Sequence, residues 1–283
     1  MAMRPPNHII LATDFTARCD RAQDRAVQLA VEWNASLTAV HALSDVTHTD
    51  DTSVRDAYRK AATRNAHLLR EELACTEGLR SFVIVDEGRV EDVVLAAAAK
   101  ERAELVLTGI AGTGSLIGST VTALARTSPL SLMVVKKKVL ETDGRAAVAS
   151  DLSDSSKPAL MVALRWFGFR RLELFHAFDA PYRGLVDDNI AYDSHFEEAA
   201  VEQCRDFIRD VAGADAVSKF EVIAQRGDPV TGLQVLANEA DTDLVIAGTH
   251  GRTGLMHVLL GSVGSRILND VTCDVLVVPS RSR

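Results

Sequence analysis

Short apolar runs alternate along the chain with longer segments in which apolar residues recur every three or four positions. The runs predict strands of a parallel sheet that is covered on both faces, because such strands are apolar on both sides. The longer segments predict the helices that cover the sheet. In the first half the predicted helices span 20–33, 51–77, 89–101 and 119–127, and in the second half 155–167, 193–212, 229–239 and 262–270.

The same order of strands and helices occurs twice. The first strand of each half ends in a hydroxyl residue, an aspartate, an apolar residue and a second hydroxyl residue, at 13–16 and at 150–153. A Gly-Ser pair, at 118–119 and at 261–262, precedes the last strand by the same number of residues in both halves. We therefore predict two tandem copies of one doubly wound α/β domain with a five-stranded parallel sheet. The predicted domains are 1–139 and 140–283.

A cluster of glycines follows the fourth predicted strand of the second half, at 248, 251, 254, 261 and 264. Such a cluster indicates tight turns or close approaches that a β-carbon would block. If the first and fourth strands are neighbours, this loop and Asp151 open into one crevice at the carboxyl ends of the strands. The helix that starts at Gly261-Ser262 offers unpaired amides and a positive dipole end. The sequence therefore predicts a phosphate-binding loop in the second half.

The spacing G-x-x-G-x9-G-S from Gly248 to Ser262, with the strand endings described above, resembles the ATP-binding branch of the universal stress proteins. The resemblance covers almost the whole chain, once in each half, so the chain is similar to a tandem member of that family. It implies a Rossmann-like fold of the adenine nucleotide alpha hydrolase type. It also implies that the two halves form an intramolecular pseudo-dimer.

The resemblance implies a role for each matching residue. Asp151 would contact adenosine, Ala177 would meet the adenine through its backbone, and Ala247 would line the base or the sugar. The other implied contacts surround the phosphates of ATP, with or without Mg²⁺: Gly248, His250, Gly251, Arg252, Gly261, Ser262 and Val263. Two alternatives stay open, since Asp151 is also a good N-cap residue and His250 is also explained as a solvent-facing loop residue.

The first copy departs from this motif. Only five residues separate Gly112 from Gly118, whereas nine separate Gly251 from Gly261. The missing four residues amount to about one helical turn, roughly 6 Å of rise. We predict weak, altered or absent nucleotide binding in the first half; alternatively, Gly114 completes a tighter loop and both sites fill. The corresponding candidate residues of the first half are Asp14, Ala42, Gly109, Gly112, Gly118 and Ser119.

Composition narrows the possible partners and setting. A formal net charge of −8 argues against a broad nucleic-acid or membrane surface. The apolar runs are too short for a membrane span. The four cysteines have no metal-ligand spacing, which favours a reduced, cytoplasmic setting, and no side-chain metal site is predicted.

No sequence motif supplies catalytic groups for phosphoryl transfer or hydrolysis. We therefore predict an ATP-binding stress-response or regulatory protein, with at most slow ATP hydrolysis. The alternatives are an enzyme that uses adenine nucleotide, such as an ATPase or a nucleotidyl transferase, and a nucleotide-free scaffold. The apolar last strands, 131–135 and 275–278, predict sheet edges through which a homodimer would form.

Overall fold

The computed structural model describes residues 4–44, 51–110, 117–139, 144–180, 189–249 and 261–280. The chain divides into two compact units, an N-terminal unit, Arg4–Leu140, and a C-terminal unit that begins at Glu141. Each unit is an α/β sandwich with helices around a parallel sheet, as the sequence predicts. In the part of the chain that the structure describes, no helix is both long and apolar enough to cross a membrane.

The N-terminal unit contains five strands in the order β3-β2-β1-β4-β5, and every pair is parallel. The strands β4 and β5 are buried at every residue, which explains their continuous apolar sequence. The strands are β1 (His8–Ala12), β2 (Ser36–Leu43), β3 (Arg80–Glu87), β4 (Leu105–Gly109) and β5 (Ser131–Val135). The helices are α1 (Asp20–Glu32), α2 (Thr52–Ala74), α3 (Val90–Glu101) and α4 (Ser119–Thr127).

The C-terminal unit repeats this topology, with the strand order β8-β7-β6-β9-β10 and parallel pairing throughout. The strands are β6 (Arg145–Ala149), β7 (Arg171–Phe178), β8 (Phe220–Arg226), β9 (Thr242–Gly248) and β10 (Asp274–Val278). The helices are α5 (Lys157–Trp166), α6 (Asn189–Ala212), α7 (Ala214–Val217), α8 (Pro229–Glu239) and α9 (Ser262–Asp270).

In each unit the first and fourth strands are neighbours, β1 with β4 and β6 with β9. The strand order therefore reverses between them, and a crevice opens at their carboxyl ends. The crevice predicted from the sequence required the first and fourth strands to be neighbours, and they are neighbours in both units.

A buried carboxylate lies at the opposite, amino-terminal end of the second sheet. Glu173 is 1% exposed. Arg145 Nη1 lies 2.8 Å from its Oε1, and Thr242 Oγ1 donates to its Oε2 at 3.1 Å. These three residues lie at or near the starts of β6, β7 and β9, so they stabilise the sheet far from the crevice.

Candidate functional site

A cavity of about 770 Å³ opens at the carboxyl ends of the strands in the C-terminal unit. Its walls come from the ends of β6, β7 and β9, the turn after β8 and the start of α9. His250, Gly251 and Arg252 lie outside the described residues. All of the predicted second-half site residues that the structure describes line this cavity: Asp151, Ala177, Ala247, Gly248, Gly261, Ser262 and Val263.

Asp151 is held in place by the turn that follows β6. Its Oδ1 accepts hydrogen bonds from Ser153 N at 3.1 Å, from Ser153 Oγ at 2.6 Å and from Ser156 Oγ at 2.8 Å. Leu152, inside the turn, has a left-handed φ of 61°. The N-cap residue of α5 is Ser156, so Asp151 does not occupy the N-cap position. The carboxylate is fixed at the cavity wall and, when ionised, can only accept hydrogen bonds.

The start of α9 forms the opposite wall. Gly261 is the N-cap residue, with φ −59° and ψ 164°, values that any residue adopts. Among the described residues, a β-carbon on Gly261 would come no closer than 4.0 Å to a neighbour, the carbonyl oxygen of Thr249. The first-turn residues Ser262, Val263 and Gly264 line the cavity, and the N–H groups of a first helical turn have no partner within their own helix. The backbone here can therefore approach an anion closely.

An aromatic ring and an ion pair complete the cavity, and sequence reasoning missed both. Phe175 lines the cavity from β7, and a β-carbon on Gly232 would lie 2.5 Å from its Cζ, so the glycine makes room for the ring. Asp228 lines the cavity after β8 and forms a two-point ion pair with Arg266 of α9, at 2.8 and 3.0 Å. The Arg266 guanidinium and the backbone amide of Thr231 hold the pKa of Asp228 well below its usual range.

The N-terminal unit has a smaller cavity, of about 380 Å³, at the corresponding strand ends. Asp14, Ala42 and Gly109 line it. Gly118 and Ser119 are not among its described lining residues, and Gly112 lies outside the described part of the chain. Thr120 and Val121 of the first turn of α4 line it instead, so the predicted first-half site is assembled around the strand ends and this turn.

The groups in the two cavities are suited to binding. Carboxylates at the strand ends accept hydrogen bonds from hydroxyl groups, and the first turn of α9 suits an anion. Within the described residues, no group of three or more His, Cys, Asp or Glu side chains is placed to hold a metal ion.

Among known protein families, the model of the universal stress protein family matches this chain twice, at residues 6–136 and at residues 144–279. A universal stress protein of Methanocaldococcus jannaschii is 28% identical over 155 residues, which are 50% of this chain and 81% of that protein. One from Synechocystis is 27% identical over 155 residues, 48% of this chain and 97% of the relative.

Among solved structures, a universal stress protein from Archaeoglobus fulgidus superposes with a TM-score of 0.68 at 18% identity, covering 96% of both chains. A protein from Pseudomonas aeruginosa, described as functionally unknown, gives the same TM-score and identity, with 96% of this chain and 92% of the other covered. These two likenesses concern the fold alone. Because the family model matches nearly the whole chain in two successive segments, the chain belongs to the universal stress protein family as a tandem, two-domain member.

Proposed function

We propose that the C-terminal unit binds ATP, and that the protein is a nucleotide-binding regulator of the stress response and not an enzyme. The observation that carries the proposal is Gly261. Its backbone angles and its surroundings among the described residues would accept a side chain, so the described part of the fold does not require a glycine here. A ligand that approaches the start of α9 does explain it.

The size and chemistry of the C-terminal cavity support a nucleotide. A volume of about 770 Å³ falls within the range of small-molecule pockets. Asp151 would accept hydrogen bonds from the sugar hydroxyls, and Phe175 and Ala247 provide apolar wall for the base. The amides of Ser262 and Val263 would bind the phosphates, in agreement with the roles that the family resemblance implies.

The charge of the cavity favours ATP carried with Mg²⁺. Asp151, Asp179 and Asp228 all line it, and their carboxylates would repel a bare triphosphate. The Arg266 guanidinium already binds Asp228, so it adds little net positive charge for the phosphates. Magnesium held by the phosphates would lower this repulsion without requiring a side-chain metal site.

The test is the nucleotide content of the purified protein, measured by mass spectrometry after denaturation, together with calorimetric titration of the emptied protein with MgATP. We expect one ATP per chain. A Ser262→Asp variant should lose binding, because its carboxylate opposes the phosphates; the same carboxylate is favourable at a helix start, so the fold should be kept. The matched control is Ser119→Asp, in the corresponding position of the N-terminal unit.

Three results would contradict the proposal: no binding of MgATP, equal binding by Ser262→Asp, or loss of binding only in Ser119→Asp. Phosphate release from saturated MgATP separates a binding protein from an ATPase, and we expect it to be negligible on the timescale of binding.

Two further properties follow from the proposed role. We expect the protein to be cytoplasmic, where ATP is abundant, and to form a homodimer. Light scattering coupled to size-exclusion chromatography would measure the mass in solution, with and without MgATP.

A further inference from the structure

The long helix α2 of the N-terminal unit has its counterpart in α6 of the C-terminal unit, and the two helices differ in charge. They align at one constant offset along the sequence, because buried residues of α2 coincide with buried residues of α6. The coinciding residues are Ala62, Ala66 and Leu69 in α2 and Ala200, Cys204 and Phe207 in α6. Equivalent positions on the exposed faces of the two helices can therefore be compared directly.

The sign of the charge is reversed at several of these equivalent positions. Residues 55–64 of α2 include four basic residues and one acidic residue, whereas residues 193–202 of α6 include four acidic residues and neither lysine nor arginine. The equivalent pairs are Arg55 with Asp193, Arg59 with Glu197, Lys60 with Glu198, and Arg64 with Glu202. Near the ends of the helices the signs are exchanged, and Glu71 of α2 is equivalent to Arg209 of α6. The exposed faces of α2 and α6 thus have complementary charges.

Some of these charged side chains have no partner within their own unit. By contrast, Arg59 Nε lies 2.6 Å from Oε1 of Glu87 in β3, so part of its charge is already neutralised. Two side chains on each helix are exposed and form no ion pair with any described residue: Lys60, Arg64, Glu197 and Glu198. These four charges are free to interact with another molecule.

Each face also has a shallow depression between its charged side chains. The residues that line it on α2 are Arg59, Lys60, Thr63, Arg64, His67 and Leu68. Those that line it on α6 are Ser194, Glu197, Glu198, Val201, Glu202 and Arg205. Five of the six positions are equivalent in the two helices. Leu68 is 57% exposed, so a partner helix on α2 would bury apolar area as well as charge.

We propose that α2 of one chain packs against α6 of a second copy, with Lys60 and Arg64 facing Glu198 and Glu202. In a dimer with twofold symmetry the contact is made twice, by α2 of each chain against α6 of the other. The inference rests on the homodimer expected above and assigns a surface to it. It does not depend on bound nucleotide.

A second copy of the chain accounts for the acidic face as well as the basic one. A nucleic acid or an anionic membrane would use only the basic face, and the rest of a chain with a formal net charge of −8 would repel it. Exposed ion pairs contribute little affinity each. Their main effect is to select which surfaces meet, while Leu68 and Val201 supply apolar contact.

The test uses the full-length protein and two double variants, each of which reverses the charge of one face. Lys60→Glu with Arg64→Glu places acidic residues on α2, so two copies of this variant repel each other. Glu198→Lys with Glu202→Lys places basic residues on α6, with the same result. Sedimentation equilibrium should show that each variant alone dimerises with a dissociation constant raised at least about 10-fold.

Mixing the two double variants in equal amounts is the decisive measurement. In the mixed pair, α2 of each chain again faces an α6 of opposite charge, so a heterodimer should form with nearly the affinity of the wild-type dimer. The matched control is Lys100→Glu with Lys219→Glu, which makes the same change in net charge at exposed positions outside both helices. It should dimerise as the wild type does. Circular dichroism and urea unfolding would show that every variant is folded.

The outcomes separate this inference from the proposed function. A dimer that both double variants retain would overturn the inference and leave the expected homodimer to another surface. Two monomeric variants that form no heterodimer on mixing would also overturn it, as would equal weakening in the control. A wild-type protein that is monomeric at an ionic strength of about 0.05 M, where charges are weakly screened, would contradict both the inference and the expected homodimer. Failure of MgATP to bind would contradict only the proposed function.

Discussion

Substitution of Gly261 by valine tests the proposed phosphate contact most directly. The φ of −59° and ψ of 164° suit valine, and the nearest described atom to the new β-carbon, the Thr249 carbonyl oxygen, is 4.0 Å away. The unfolding free energy should fall by only about 1 kcal/mol, because valine is a poorer N-cap residue than glycine. The new methyl groups would project at the helix start and keep a phosphate from its amides.

The expected loss of affinity follows from the contacts removed. A hydrogen bond to a charged group contributes about 1.5–3 kcal/mol. Loss of one such bond to the amides of Ser262 and Val263 therefore weakens MgATP binding by about 10- to 150-fold. Calorimetric titration would measure the dissociation constant, and urea unfolding would measure the stability.

Gly118→Val is the matched control, because Gly118 is the N-cap residue of α4 with nearly the same angles, φ −66° and ψ 164°. It should leave MgATP binding unchanged. Unaltered affinity in a folded Gly261→Val protein would refute the reasoning, and so would a loss of affinity confined to Gly118→Val.

Three further predictions concern stability. Arg145→Ala leaves the buried Glu173 carboxylate without its cation, so the free energy of unfolding, measured with urea, should fall by about 3 kcal/mol. A second substitution, Glu173→Leu, should restore most of this loss. Gly232→Ala forces Phe175 to move. The cost of overpacking, about 1–3 kcal/mol, should exceed the gain of about 1 kcal/mol from the higher helix propensity of alanine, so the protein should be less stable. An unchanged or higher melting temperature would contradict this. Asp228 is the N-cap residue of α8 and accepts a hydrogen bond from Thr231 N; an Asp228→Asn variant keeps this cap but cannot ionise. The pKa of Asp228 is lowered in the folded protein. The wild-type protein should therefore be slightly more stable than the variant near neutral pH and should lose this extra stability as the pH falls below about 4. A stability difference that stays constant from pH 7 to pH 3 would count against the ion pair.

The fold was largely predictable because its strands are buried on both faces and the pattern occurs twice. All eight predicted helices exist, but the start of α6 at Asn189 and the single turn of α7 were not predicted. Gly213 separates these two helices, and its φ of 91° lies in the left-handed region that favours glycine. The helix predicted from residue 155 starts instead at Lys157, after a short 3-10 turn, Asp154–Ser156.

The cavity was predictable at the strand ends and less so elsewhere. Asp151 and Ala247 end or follow neighbouring strands, and this topology brings them together without further information. Phe175 lies inside β7 and reaches the cavity only because Gly232 of a distant helix leaves room. Tyr58 closes the N-terminal cavity from a helix whose register against the sheet is set by packing. Such contacts depend on three-dimensional neighbours that no single stretch of sequence reveals.

The turns around Asp14 and Asp151 have a consequence for the thermodynamics of binding. Three donors hold one oxygen of each carboxylate, and the next residue, Phe15 or Leu152, has a left-handed φ of 59° or 61°. The rotamer is thus selected during folding, and a ligand does not incur the cost of about 0.5–1.5 kcal/mol for immobilising a side chain. The entropy of the carboxylate side chain is therefore lost when the protein folds and not when the ligand binds. Mutations that relax the strained turn should raise the free energy of unfolding and lower the affinity for hydroxyl-bearing ligands.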